Sequence, residues 1–309
     1  MAERRRGRIA SLAGPAMLLL AAVIWGAGFL AQQLGMDHVG PWTFGVVRNA
    51  LAVAALLPVV ALRRAKAGPP RKIAAGSVVC GTALFSASMA QQVGLQWTSA
   101  GMGGFLTSIY VLAVPLIGLG IGRKPPRGTW SAVAIAVAGL FMICVGPDAS
   151  MRLGRGEALE LACALLFAVQ ILCIDRFAAD VDPVALSCGE FAVCFVEGLP
   201  FLALPSEAAK LSATAIAAAF PALAFAGIVS SGVAYTLQTV AQARTRPAVA
   251  SLTMSLEAVF AAFFGWAVLH QTMSARQIAG CALLFCAVVS AQLLSLGDKK
   301  PAMAEQAAA

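Results

Sequence analysis

Apolar residues along this chain fall into ten long runs, separated by short polar segments. Each run holds about 16 to 26 residues, and a helix needs about 20 mostly apolar residues to cross a hydrocarbon core of ~30 Å. The ten runs therefore predict ten membrane-spanning helices. Their predicted bounds are Leu12–Gln33, Thr43–Leu62, Ile73–Leu95, Gly103–Ile121, Trp130–Val145, Glu157–Ile174, Val184–Leu204, Ala213–Gln238, Pro247–Leu269 and Gln277–Leu296.

The composition supports this interpretation and leaves no room for a sizeable domain outside the bilayer. Hydrophobic residues make up 60% of the 309 residues and charged residues only 12%. An ordinary soluble domain carries about 25% charged residues. We therefore predict an all-α membrane protein that is embedded in the lipid bilayer.

The net charge of +8 is explained by membrane topology. With the N-terminus placed in the cytoplasm, 17 of the 22 Lys and Arg residues fall on the inner side and four on the outer side, while Arg48 lies within a span. Cytoplasmic loops of membrane proteins are enriched in Lys and Arg. The distribution predicts that both chain ends are cytoplasmic, and it removes the need for a nucleic-acid partner.

The two halves of the chain can be aligned with each other. The first repeat covers residues 12–146 and the second covers residues 157–296. The matched pairs are Trp25 with Phe167, Pro41 with Pro183, Arg48 with Glu190 and Pro58 with Pro200, at an offset of 142, then Gln91 with Gln238, Ser108 with Ser255 and Tyr110 with Glu257, at an offset of 147. Because each repeat holds five spans, the second enters the membrane from the opposite side. Inverted repeats of this kind place a binding site near the midplane, where the halves meet.

Four ionisable side chains lie within predicted spans, where a charge is costly and therefore a candidate for function. They are Arg48, Glu190, Glu197 and Glu257. Arg48 and Glu190 are repeat-equivalent, so the pair can meet across the symmetry axis. For Glu190 and Glu197 a structural role between helices is the favoured interpretation. For Glu257 a structural role, a substrate contact and proton binding all stay open.

Several ordered motifs resemble the drug/metabolite transporter superfamily, and specifically its EamA-type members. In the second half they are Tyr235-Thr-Leu-Gln238 and the stretch from Ser251 to Ala261, and in the first half they are Trp25-Gly26, Trp97-Thr-Ser-Ala100 and Tyr110-Val-Leu-Ala-Val-Pro115. The chain departs from the family pattern at Ala258, where the family usually has Pro, and at Leu269-His270, where Gly-Glu is common. The resemblance implies a carrier that exports amino acids, metabolites or drugs by alternating access, and it is nearest to the aromatic amino acid exporters of bacterial inner membranes.

An amino acid carrier needs polar groups for the ammonium and carboxylate, together with an apolar surface for the side chain. Trp faces can also hold cations. For Phe29 and Phe105, which could add apolar surface, lipid contact or core packing is the favoured interpretation. The candidate substrate-binding residues are Trp25, Gln91, Gln92, Tyr110, Tyr235, Gln238 and Glu257.

Motifs for other functions are missing from the sequence. The eight cysteines are scattered without a C-x-x-C pair, so we expect neither a metal site nor a cofactor. No phosphate-binding loop, H-E-x-x-H or G-x-S-x-G motif is present, which argues against ATP hydrolysis and against an enzyme. A carrier driven by the solute gradient, with possible proton coupling, is the leading hypothesis. Efflux of drug-like organic cations, a channel and an intramembrane enzyme are the alternatives.

Overall fold

The computed structural model describes residues 2–63, 68–98, 100–126, 128–145, 154–269 and 273–297, and these form helices and short connections without a β-strand. The α-helices are α1 Ala2–Met36, α2 Pro41–Leu62, α3 Pro70–Gly94, α4 Ala100–Ser108, α5 Tyr110–Gly120, α6 Thr129–Cys144, α7 Arg155–Phe177, α8 Pro183–Gly198, α9 Pro205–Ala208, α10 Ala213–Ala224, α11 Thr236–Gln242, α12 Pro247–Met254, α13 Glu257–Leu269 and α14 Ala275–Gly297. A 3₁₀ helix, Leu199–Ala203, follows α8, and a π-helix, Phe225–Tyr235, joins α10 to α11.

Nine helical stretches of the described chain are long and apolar enough to cross a membrane. A tenth apolar helix, Thr129–Ile143, is shorter and corresponds to the predicted fifth span. The prediction of an all-α membrane protein with about ten spans is therefore confirmed. The first helix starts earlier than predicted, at Ala2 instead of Leu12. The Ala and Arg residues between these positions favour helix.

The fourth and ninth spans are both broken helices. α4 and α5 are separated at Ile109, and α12 and α13 are separated at Ser255 and Leu256. Adding the repeat offset of 147 to 109 gives 256, so the two breaks lie at matched positions. The second half-helix of each span therefore begins inside the protein, at Tyr110 in the first half and at Glu257 in the second.

Prolines account for irregular segments in the seventh and eighth spans. Pro200 has no N–H and its ring crowds the carbonyl one turn earlier, so α8 gives way to the 3₁₀ helix. The eighth span changes from α-helix to π-helix four residues after Pro221. Gly227 in this π-helix lies against α2, because a Cβ there would be 2.7 Å from the carbonyl oxygen of Arg48. Only glycine permits this approach.

The helices of the two halves pack in matching pairs. α1 packs against the eighth and ninth spans, and α7 packs in the same way against the third and fourth. α2 packs against α8, and α6 packs against α14. At the α6–α14 contact, Gly139 and Gly280 face each other's backbone, with each virtual Cβ within 2.8 Å of the other's carbonyl oxygen. Exchanging the halves leaves this set of pairings unchanged, as a twofold axis between them requires.

Two polar contacts join the second and seventh spans, and each contact connects the end of one span to the start of the other. Glu207, which is buried, accepts hydrogen bonds from the backbone N–H and the Oγ1 of Thr43, at 2.9 and 2.8 Å. At the opposite ends, Arg63 donates two hydrogen bonds to Asp182, at 2.9 and 3.1 Å. Asp182 also accepts from the N–H of Val184. The hydrogen bonds that Arg63 donates to Asp182, together with the negative charge of Asp182, raise the pKa of Arg63. We call the two contacts the Glu207 clamp and the Asp182 clamp.

Candidate functional site

A cavity lies among the first, second, third, fourth, sixth, eighth and ninth spans. Its empty volume, including the open mouth, is about 520 Å³. The residues that line it are Trp25, Gly28, Phe29, Gln32, Arg48, Gln91, Thr107, Tyr110, Phe167, Ile171, Ser230, Tyr235, Gln238, Met254 and Glu257. The wall therefore combines aromatic rings, amides, hydroxyls and two groups of opposite charge.

Six of the seven candidate residues from the sequence line this cavity. They are Trp25, Gln91, Tyr110, Tyr235, Gln238 and Glu257. The seventh, Gln92, is buried outside the cavity wall. Phe29 also lines the cavity, whereas Phe105 packs in the apolar core around α6 and α14.

The cavity wall is built largely from residues that are equivalent in the two halves. Ten of the lining residues form five pairs at the offsets found in the sequence. These pairs are Trp25 with Phe167 and Phe29 with Ile171, at 142, then Gln91 with Gln238, Thr107 with Met254 and Tyr110 with Glu257, at 147. The cavity therefore lies where the matched surfaces of the two halves face each other.

Aromatic rings form one side of the cavity. The rings of Trp25 and Tyr235 are 4.8 Å apart at an angle of 59°, and Phe191 packs edge-on against Tyr235 at 5.7 Å. Tyr235 is the last residue of the π-helix, so the irregular part of the eighth span carries this ring. The result is a rigid apolar surface that suits an aromatic or aliphatic side chain.

Glu257 of the second half and Tyr110 of the first half are in contact at the cavity. The hydroxyl of Tyr110 donates a hydrogen bond to Oε1 of Glu257 at 3.1 Å. Both residues begin the second half-helices of the broken spans, and both are at least nine-tenths buried. Two repeat-equivalent residues thus meet across the interface between the halves.

A second buried carboxylate lies behind the wall, at Glu160. Its Oε2 accepts a hydrogen bond from Thr107 at 2.8 Å, and Gln91 donates to the same hydroxyl at 3.2 Å. Glu160 is fully buried. Glu160 is not among the candidates predicted from the sequence, although it too lies within a predicted span, Glu157–Ile174.

Arg48 and Glu190 do not form the pair that their equivalence suggested. Arg48 donates to Oγ of Ser231 at 3.2 Å, and no ion pair with it is found in the described part of the chain. Glu190 instead lies beside Cys80 of α3. Arg48 is instead next to the eighth span, where Gly227 packs against its backbone and Ser231 accepts the hydrogen bond from its Nε.

Comparison with known proteins shows the family to which the chain belongs. The profile of the EamA-like transporter family matches the chain twice, over residues 12–145 and over residues 154–291. The chain belongs to the EamA-like transporter family. An uncharacterised transporter of Archaeoglobus fulgidus is 28% identical to this EamA-like chain over 277 residues, which is 89% of this chain and 84% of that protein.

A solved crystal structure has the same fold as this EamA-like chain. It superposes with a TM-score of 0.76 over 93% of this chain and 99% of the other, at 15% identity. The family and the A. fulgidus relative indicate a multi-pass membrane transporter. Within the described residues, no three His, Cys, Asp or Glu side chains are grouped closely enough to hold a metal ion.

Proposed function

We propose that this EamA-like transporter is a secondary carrier that exports neutral amino acids, aromatic ones above all, across the bacterial inner membrane. The proposal depends on the cavity, which places an apolar aromatic surface beside a buried carboxylate. The rings of Trp25 and Tyr235 suit the amino acid side chain, and Glu257 suits its ammonium group. Amides of Gln91 and Gln238 add hydrogen-bond donors and acceptors.

The carrier works by alternating access between two inverted repeats, residues 12–146 and 157–296. The matched packing pairs and the matched breaks in the fourth and ninth spans support this view. Both chain ends lie in the cytoplasm, as the distribution of Lys and Arg indicates. Rocking of one repeat against the other about the cavity exposes it first to one side and then to the other.

The test is counterflow in proteoliposomes loaded with unlabelled amino acids. A panel of labelled amino acids is added outside, and trans-stimulated uptake of phenylalanine or tryptophan is the expected result. Glu257→Gln should lower this uptake, whereas Lys210→Gln, which changes an exposed loop residue, should not. Uptake equal to that of protein-free vesicles for every amino acid would rule the proposal out.

The same vesicles test for proton coupling, and they separate a carrier from a channel and from an enzyme. An inward proton gradient that raises export by the wild type but not by Glu257→Gln would assign a proton to the exchange, with Glu257 as its binding group. Flux that fails to saturate at high solute concentration would indicate a channel. Turnover of a lipid or peptide without solute flux would indicate an enzyme.

Efflux of drug-like organic cations is the second candidate function. A cation can be held by the face of Trp25 and by the carboxylate of Glu257, which both line the cavity. Labelled cations in the counterflow assay separate the two functions. Cation flux that is abolished by Glu257→Gln while amino acid flux persists would favour drug efflux.

A further inference from the structure

The guanidinium of Arg48 is a cation within the cavity wall. Arg48 is only 6% exposed and lines the same cavity as Glu257. An arginine carries five N–H donors and stays charged, and the described part of the chain supplies Ser231 as a neutral acceptor for one of them. A buried charge without an opposite charge is costly, so a position of this kind needs an explanation.

The acidic residues of the neighbouring α8 do not neutralise Arg48. Glu197 accepts a hydrogen bond from Thr82 at 2.6 Å, and Glu190 lies beside Cys80. Neither carboxylate is within 4 Å of Arg48 in the described part of the chain. The charge of the guanidinium is therefore available to a molecule in the cavity.

The protein holds Arg48 in place through its backbone. A Cβ at Gly227 would lie 2.7 Å from the carbonyl oxygen of Arg48 and 2.6 Å from Cβ of Leu51, so the π-helix lies directly on this turn of α2. Ser231, one turn further along the π-helix, then meets Nε of Arg48. This arrangement fixes one nitrogen of the guanidinium and leaves the others for a ligand.

We propose that Arg48 binds the carboxylate of the transported solute and thereby restricts transport to molecules that carry one. The inference rests on the proposed amino acid carrier and names the group that selects its substrate class. Arginine pairs with carboxylates through two parallel hydrogen bonds, which gives both strength and orientation. With Glu257 in the same wall, the cavity offers one charge for each end of a zwitterion, and amines without a carboxylate are refused.

Three probes with the same aromatic ring test this assignment in detergent-solubilised protein. They are L-phenylalanine, 3-phenylpropionate, which keeps only the carboxylate, and phenethylamine, which keeps only the ammonium. Binding is measured as a ligand-dependent rise in the melting temperature, from which an apparent Kd is obtained. The proteins are the wild type, Arg48→Gln, Arg48→Lys and the control Lys210→Gln.

The wild type and Lys210→Gln should bind phenylalanine and 3-phenylpropionate but not phenethylamine. Arg48→Gln should weaken both carboxylates by about tenfold or more, as expected for the loss of a charged hydrogen-bond donor. Arg48→Lys should keep part of the affinity, because it retains the charge without the planar fork. The comparison of probes on the wild type does not depend on any variant folding.

Three results would overturn the assignment: unchanged affinity of Arg48→Gln for 3-phenylpropionate, equal binding of phenethylamine and phenylalanine by the wild type, or no carboxylate binding at all. Counterflow separates this inference from the proposed function. Carboxylate binding that needs Arg48, without amino acid flux, would refute the function alone. Amino acid flux with unchanged half-saturation in Arg48→Gln would refute the role of Arg48 alone.

Discussion

The Glu207 clamp allows a test in which adding one methyl group should remove two hydrogen bonds. Gly40 has an ordinary extended backbone, with φ −72° and ψ 162°, so alanine fits its conformation. A Cβ at this position would overlap both carboxylate oxygens of Glu207. In Gly40→Ala the carboxylate must therefore swing away from α2, and both bonds to Thr43 are lost.

The size of the effect follows from these two bonds. Hydrogen bonds to a charged group contribute about 1.5–3 kcal/mol each, and water at this edge of the protein replaces part of them. A carboxylate at the N-terminus of a helix adds about 0.3–1 kcal/mol. We expect a loss of about 2–4 kcal/mol. For a chain of 309 residues, the usual entropy of unfolding per residue converts each kcal/mol into about 1.5 °C in melting temperature.

A double-mutant cycle isolates the clamp from other effects of the methyl group. Melting temperatures are measured for the wild type, Gly40→Ala, Glu207→Ala and the double variant. Once Glu207 is gone, the methyl group has nothing to displace, so Gly40→Ala should then be nearly neutral. Gly120→Ala serves as the control, because a Cβ there has no atom within 4 Å. Equal destabilisation by Gly40→Ala in both backgrounds would refute the reasoning.

Three further predictions concern packing, the site and the Asp182 clamp. Gly26→Ala should lower the melting temperature and the counterflow rate, because the new Cβ would lie 2.7 Å from the backbone N of Ala261. A counterflow rate equal to that of the control Gly120→Ala would contradict this prediction. Tyr110→Phe should raise the half-saturation concentration for phenylalanine by about tenfold, since Glu257 loses its hydroxyl donor, and an unchanged value would be evidence against the site. Asp182→Ala should lower the melting temperature more than Asp182→Asn, which keeps an oxygen for the backbone N–H; equal shifts would show that this cap has no effect.

Much of the fold followed from the sequence because each span must be long and apolar. The repeat offsets also carried information about the cavity, since pairs such as Gln91 with Gln238 and Tyr110 with Glu257 lie where the halves face each other. A buried polar residue at the same place in both halves is a stronger signal than either residue alone.

Other features have no counterpart in the apolar pattern. The break at Ile109 contains neither proline nor glycine, and the apolar run continues across it. Gln91 and Gln92 are adjacent, so they project about 100° apart on α3, and only packing decides which of them reaches the cavity. Glu160 lies near the start of its span, where a position at the membrane surface was equally consistent with its charge.

The residues that face each other across the cavity are equivalent in position but not in chemistry. Trp25 stands opposite Phe167 in the repeat, Thr107 opposite Met254, and the hydroxyl of Tyr110 opposite an acid. Two identical halves would accept a lopsided molecule in either of two orientations with equal energy. Because these halves have diverged, one orientation is favoured, and we expect the same end of the cargo to lead on every passage.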